Sequence, residues 1–467
     1  MALVSKPNLY IWLRWTVFAV LMGGIVWAYV AAADTQRASQ YLLNQLEARH
    51  LALTQETRAD LTPDFTQSFS KPLKKLVPHR MDGVVQPLWP WLAAWMHGSD
   101  DLPGLLRATA WFRLGLTLGF LVLLGVTCAR NFTLPAAILV TTVSGFYSFL
   151  PTVGQFTGAA LFHVFFLLTW LACIFALQRN SLWIYGLIGV FGALAYLSED
   201  RVLPLLLVFV FVSTLRALWG WILAHWAKGE GTTLWVRSNH VFGLILLGAG
   251  FFFIAGPRLA EAQQRFGNGL FSYVDQVRWL DNEAAAYFWI KEHPDAASLK
   301  GISSLERPSY QGYLQTHSCE ALAARLLDGL GKIRAHFAPG DRVLATMLLL
   351  TLAGIIVAWI AAPKAGHAAQ RLHSETAPTL LFVVLAAMIY IGITGWDWAV
   401  MDTHPLLLAL IPPLILSLIW SCESLLRRTQ KRGLDRKVLI GYKTALWFAV
   451  AYHGLGWMEY LHRVSSP

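Results

Sequence analysis

An all-α protein that crosses a membrane many times is the fold class this sequence predicts, and three observations predict it. Of its 467 residues, 56% are hydrophobic and 14% are charged, well below the roughly 25% charged of soluble domains. Apolar runs long enough to span a bilayer, about 20 residues each, recur along the chain. The short polar connections between the runs sort by charge, basic on one side and acidic on the other.

Taken in order, the runs give about eleven expected spans by length. They are Tyr10–Ala33, Trp111–Cys128, Thr133–Leu150, Phe156–Leu177, Ser181–Leu197, Val202–Leu223, Val241–Ala255, Arg342–Ala361, Leu380–Trp396, Pro405–Cys422 and Val438–Trp457. The first lacks a small-residue cleavage site and reads as a retained span. Trp and Tyr near run ends, among them Trp89, Trp91, Trp396 and Trp398, suit interfacial belts. The expected organisation is a transmembrane module over 1–255, with an outer loop at 34–110, a second outer loop over 256–341, and C-terminal spans over 342–467.

Charge sets the orientation. With Lys6 in the cytoplasm, the short cytoplasmic connections collect about a dozen basic residues, six of them in Glu423–Lys437. The short connections of the other side carry lone acids: Asp34, Asp200, Asp397 and Asp402. The long loops also carry Arg37, Arg107, Arg258 and Arg334, but loops beyond about 60 residues translocate regardless of charge. The C-terminus, Met458–Pro467, is then expected outside.

Neither long loop is filler. Arg37–His50 places Tyr41, Leu42, Gln45 and Leu46 on one helical face, and Trp89–Met96 is short, apolar and aromatic. Both read as amphipathic helices lying in the interface. In the second loop, helices are expected over Asp281–Glu292, ended by His293-Pro294, and over Glu320–Leu330.

The net charge of +10 reflects basic loops against anionic lipid and gives no reason to expect nucleic acid. Four cysteines, of which Cys319 alone lies in an outer loop, form no disulfide framework or metal spacing. Walker, HExxH, CxxC and GxSxG patterns are absent, so nucleotide hydrolysis, zinc proteolysis and serine-hydrolase chemistry have no support.

The candidate site residues are polar groups at span ends. Asp34 closes the first run and reads either as a general base, since a partly desolvated carboxylate accepts a proton more readily, or as the N-cap of a following helix. Ser198-Glu199-Asp200-Arg201 is the tightest polar cluster between two spans; Arg201 suits a phosphate, or else a local ion pair. Asp397 between Trp396 and Trp398, followed by Asp402 and His404, reads as a sugar-stacking site or as an interfacial anchor. Asp82, in His79-Arg80-Met81-Asp82-Gly83, reads as part of a polar site or as a surface turn.

Four segments carry a family resemblance. They are Asp34 with Arg37 and Tyr41; Gln86-Pro87-Leu88-Trp89-Pro90-Trp91-Leu92; Gly192-Ala193-Leu194-Ala195-Tyr196-Leu197-Ser198 before Asp200-Arg201; and the Pro412-Pro413 span after Asp402. Together they resemble the GT-C superfamily of membrane glycosyltransferases, most closely the bacterial branch of protein mannosyltransferases and lipid A aminoarabinose transferases.

The resemblance implies a GT-C-like helical bundle in the bacterial cytoplasmic membrane. It implies inverting transfer of a sugar from a polyprenyl-phosphate donor to an acceptor hydroxyl at the outer face. Asp34 would be the base, and Arg201 with another outer basic residue would hold the leaving phosphate. Asp82, Asp200, Asp397, Asp402 and His404 would line the substrate site. Many relatives carry a second acid after the first, where this chain has Thr35, so no cofactor is assigned and a divalent metal stays an open option. The expected partners are the lipid-linked donor, membrane lipids and other membrane proteins.

Two rival readings share the plan of spans: a polysaccharide polymerase or ligase, and a non-catalytic GT-C-like subunit of a membrane complex. A secondary transporter fits less well, since mid-span ionisable residues are scarce and no inverted repeat is visible.

Overall fold

The computed structural model describes residues 7–38, 50–57, 85–96, 102–153, 155–179, 181–226, 233–293, 298, 302–303, 306–337, 341–361, 367–400, 404–430 and 436–465. Among them every regular element is a helix. Chain order runs α1 (Pro7–Ala38), α2 (50–57), α3 (Leu88–Met96), α4 (Leu102–Asn131), α5 (Leu134–Val143), α6 (Ala159–Arg179), α7 (Leu182–Ser198), α8 (Leu203–Trp226) and α9 (Thr233–Phe266). The second loop contributes α10 (Tyr273–Val277), α11 (Glu283–Glu292), α12 (Tyr310–Thr316) and α13 (Cys319–Phe337). The chain continues with α14 (Asp341–Ala361), α15 (His367–Asp397), α16 (His404–Gln430) and α17 (Arg436–Ser465).

Among the described residues, seven helical segments are long and apolar enough to cross a membrane: Leu102–Asn131, Leu134–Val153, Ala159–Arg179, Asp200–Leu218, Asn239–Phe266, Ala377–Asp397 and Leu406–Arg427. Shorter apolar stretches among the described residues are Trp15–Ala31 within α1, Leu182–Ser198 forming α7 and Arg342–Ile356 within α14. The last expected run lies inside α17. Seven candidate spans therefore stand on length and composition, and the expected count of about eleven is not established.

Two apolar cores fill the bundle. One centres on α6, whose Phe162, Phe166 and Trp170 form an aromatic ladder that meets Phe382 and Tyr390 of α15. The other gathers α1, α4, α5, α14, α16 and α17. In lipid, such contacts act through packing more than through removal of apolar surface from water, so close approach matters. Glycine supplies it between α7 and α9, where a Cβ at Gly189 would collide with the carbonyl of Leu247.

Side chains close helix starts both from a distant part of the chain and locally. Glu423 of α16 accepts hydrogen bonds from the Thr133 backbone N–H (2.9 Å) and hydroxyl (2.6 Å), capping α5 in trans while pairing with Arg427. In the second loop Asn282 caps α11 by accepting from Ala285 N–H (2.9 Å), so that helix starts at Glu283 and ends before His293, close to expectation. The helix expected over Glu320–Leu330 extends to Phe337.

One segment departs from α geometry. Ser144–Phe149 forms a π-helical turn between α5 and Leu150–Val153, and Tyr29 of α1 donates to the Gly145 carbonyl there (2.7 Å). The bond ties α1 to the bundle five residues before Asp34.

The loops expected on one side of the membrane meet at one face of the bundle. Gln86, the 198–201 connection, residues 258–281, Tyr313–Arg325 and the end of α15 are joined there by the contacts described below. The Thr133–Glu423–Arg427 contact closes the connection after α4 onto the end of α16, both expected on the other side.

Candidate functional site

The site is built from three strands of chain that are remote in sequence. α7 ends at Ser198, whose hydroxyl donates to the Leu194 carbonyl (2.9 Å). Glu199 is extended, and Asp200–Val202 makes one 3-10 turn into α8. This geometry turns Arg201 inward, to 8% exposure, with Nε 3.4 Å from Glu199 Oε1. Tyr390 of α15 locks the turn by donating to the Arg201 carbonyl (2.7 Å) and accepting from Leu205 N–H. Burial lifts the Glu199 carboxyl above its ordinary value; Arg201 opposes this and Asp200 adds to it.

The second strand is the end of α15. Asp397 is its last residue, 1% exposed, and neither carboxylate oxygen receives a hydrogen bond. Its partner is Arg278, with Nη2 3.5 Å away, and the charges of Arg201 and Arg325 also act on it.

The third is the second loop. Arg278, 22% exposed, is shared between Asp397 and Asp275, the latter at 3.2 Å. Its backbone carbonyl accepts from both Trp396 Nε1 (3.1 Å) and Arg325 Nη2 (2.9 Å). Arg325 also donates to Leu280 O (2.8 Å), Tyr313 Oη (2.7 Å) and Trp396 O (3.3 Å), while lying over the Trp396 ring at 4.5 Å. α13 gets this close because Gly329 faces Gly395 with no room for a Cβ.

Asp275 is 58% exposed, yet its carboxyl is pushed up to about 6. Desolvation of the side facing the protein contributes most, and Asp200 adds to it. Arg278 opposes, Asp397 adds a smaller share and Arg258 opposes.

Arg258, fully buried in α9, fastens the first loop to this face. Its Nε donates to Gln86 Oε1 (3.2 Å), Nη1 to Gly269 O (2.8 Å) and Nη2 to Phe271 O (2.9 Å), and its plane covers Tyr196 at 4.8 Å. Trp89, three residues beyond Gln86, is fully buried against Phe156 and beneath Arg113. His50 of α2 is buried near the same arginine and pushed down to about 3 by burial and by Arg113, so it is neutral at neutral pH.

Of the residues the sequence singles out, Asp200, Arg201 and Asp397 are brought together. Asp34 lies inside α1, which continues unbroken to Ala38, so it does not cap a new helix; its side chain lies outside the described residues. Asp82 and Asp402 lie outside the described residues, as does the side chain of His404 at the start of α16. The helical face expected from Tyr41 to Leu46 lies outside them as well. Trp396 is packed into the protein by Arg325 and Arg278, which favours neither a free stacking platform nor a lipid anchor.

Sequence reasoning missed Arg278, Asp275 and Arg325. Among the described residues no group of three or more His, Cys, Asp or Glu is placed to hold a metal ion. The acids at this face alternate with guanidinium groups, a donor set that does not fit a divalent ion. No protein-family model matches the chain, and no curated protein matches it.

Proposed function

We propose that this protein is a membrane-embedded transferase. It moves a sugar from a polyprenyl-phosphate donor to an acceptor hydroxyl, at the outer face of the bacterial cytoplasmic membrane, on a GT-C-like bundle of about eleven spans. The N-terminus would be cytoplasmic and the C-terminus outside. The observation that carries the reading is the convergence of Asp200, Arg201 and Asp397 with Arg278 at the ends of apolar helices, where a lipid-borne phosphate would meet protein charge. Ionisable groups buried at the ends of membrane spans are costly and are kept for function.

In the proposed step the acceptor oxygen attacks the anomeric carbon as the bond from that carbon to the phosphate oxygen breaks. The electron pair leaves with the phosphate, the acceptor proton passes to a carboxylate, and configuration inverts. Family resemblance gives the base to Asp34, on the last turns of the helix that Tyr29 fixes. Arginine at the site would stabilise the charge that develops on the leaving phosphate.

The test is transfer from a radiolabelled polyprenyl-phosphate sugar by membranes carrying Asp34→Asn. Removal of a general base lowers the rate by about 10²-fold or more at normal expression; an active variant would sink the assignment. One observation favours a second reading, a non-catalytic subunit: Arg201 faces Glu199 instead of an open surface. Transfer activity absent from wild-type membranes across a panel of lipid-linked sugars would favour it.

A further inference from the structure

Asp397 is the least explained charge on this face. It is 1% exposed, both oxygens lack a hydrogen-bond donor, and its ionic partner Arg278 stands at 3.5 Å, longer than a charge-assisted hydrogen bond. Arg278 is equally incomplete, because its buried Nε has no acceptor although Nη1 and Nη2 face two carboxylates. Its backbone is nevertheless held rigidly, through the carbonyl that Arg325 and Trp396 both engage. A structural ion pair in a buried place normally completes its hydrogen bonds. A guanidinium with an unused donor on an anchored backbone, loosely neutralised by a carboxylate, is instead placed to exchange that carboxylate for a better anion.

We infer that Arg278 is an anion-binding residue for a phosphate monoester or diester, and that Asp397 occupies its place until the phosphate arrives. The inference rests on the transferase reading only for the identity of the lipid. Two phosphate oxygens accept from Nε and Nη2, one each, the bidentate geometry that a guanidinium offers and that Asp397 does not use. Asp275, largely in solvent, stays on Nη1. The acids thereby set affinity: Glu199, Asp200, Asp275 and Asp397 balance Arg201, Arg258, Arg278 and Arg325, so an entering phosphate must outcompete a site already near neutrality.

The test is binding of radiolabelled farnesyl phosphate to the full chain in phosphatidylcholine nanodiscs. Arg278→Gln is expected to weaken it at least tenfold and Arg278→Lys by less, with thermal midpoints recorded for each. Asp397→Asn is expected to tighten it several-fold, because it removes the competitor. A pair that merely staples the loop predicts the opposite, weaker binding in both variants, and that result would overturn the inference.

Competition distinguishes the source of the phosphate. Displacement by inorganic phosphate supports recognition of the headgroup alone, and displacement only by farnesyl phosphate supports a lipid-borne group. Displacement by farnesol but not by either phosphate would overturn the proposal. Arg278-dependent binding without any transfer activity would leave this inference standing and remove the transferase reading. Unchanged affinity in an Arg278→Gln protein that still transfers sugar would do the reverse.

Discussion

Arg325 holds the candidate site together, and its removal has a calculable effect. The side chain bridges Arg278 O, Leu280 O, Trp396 O and Tyr313 Oη, and its cation lies over Trp396 and Tyr313. Hydrogen bonds from a charged donor contribute about 1.5–3 kcal/mol each, and an exposed to partly buried cation–π contact about 0.5–2 kcal/mol. Summing them overshoots, because they share one side chain and water reaches the half-buried carbonyls once it is gone. About 3 kcal/mol is the reasonable net loss for Arg325→Ala, felt locally as the second loop lifting from the end of α15.

Hydrogen exchange reads this directly. The amides of Trp279 and Leu280 are bonded to Gln276 O and Val277 O in the turn that Arg325 clamps. A loss of about 3 kcal/mol in local opening speeds their exchange by about 10²-fold. Amides in α6, within the aromatic ladder, should not change. Arg325→Lys keeps the charge but lacks the planar fork, so it should recover less than half of the protection. Exchange of Trp279 and Leu280 within about threefold of wild type in Arg325→Ala would refute the clamp.

Two further outcomes follow from the same face. Asp275 titrates at about 6 in the folded protein and at about 4 in the unfolded chain. Between those values the fold retains a proton that the unfolded chain has lost, so stability falls as pH rises toward neutrality. Asp275→Asn should flatten that decline in thermal midpoint, modestly because the side chain is largely exposed; an unchanged slope would contradict the shift. Cys319 is exposed at the start of α13, so a membrane-impermeant thiol reagent should label it in intact cells under the proposed orientation. Labelling only after permeabilisation would invert the topology.

The helices were legible because apolar runs and their breaks are local properties. The same holds for the short aromatic helix α3 and the cap region of α11. Asp200, Arg201 and Asp397 were legible as a group only through the expected topology, since alternation of the expected spans puts their loops on one side. Arg278 and Arg325 were not legible, because a loop arginine that pairs across more than 70 residues of sequence looks like one that faces water. Gly329 and Gly189 were equally silent, their meaning lying in the backbone that passes them, at Gly395 and Leu247. Of the two readings of Asp34, the cap fails: the apolar run stops at Ala33, but Thr35, Gln36 and Arg37 carry the helix on without a Gly or Pro to end it.

Asp397 also shows why this face is not explained by stability. A carboxylate on the last residue of a helix faces the negative end of the helix dipole, which disfavours it by about 0.3–1 kcal/mol. Burial without a hydrogen-bond donor adds a larger desolvation cost. Arg278 offsets part of this at 3.5 Å, but it has Asp275 and solvent as alternatives and does not require Asp397. Asp397→Asn should therefore leave the thermal midpoint unchanged or raise it, contrary to the usual result of breaking a buried ion pair, where removing one partner costs about 3–5 kcal/mol. Circular dichroism melts in detergent at neutral pH measure the difference. A fall in midpoint of several degrees would mean that the pair is a structural staple and that the cost is repaid within the fold. An unchanged or higher midpoint, with altered phosphate binding, would mean that this helix end carries a charge the fold does not need.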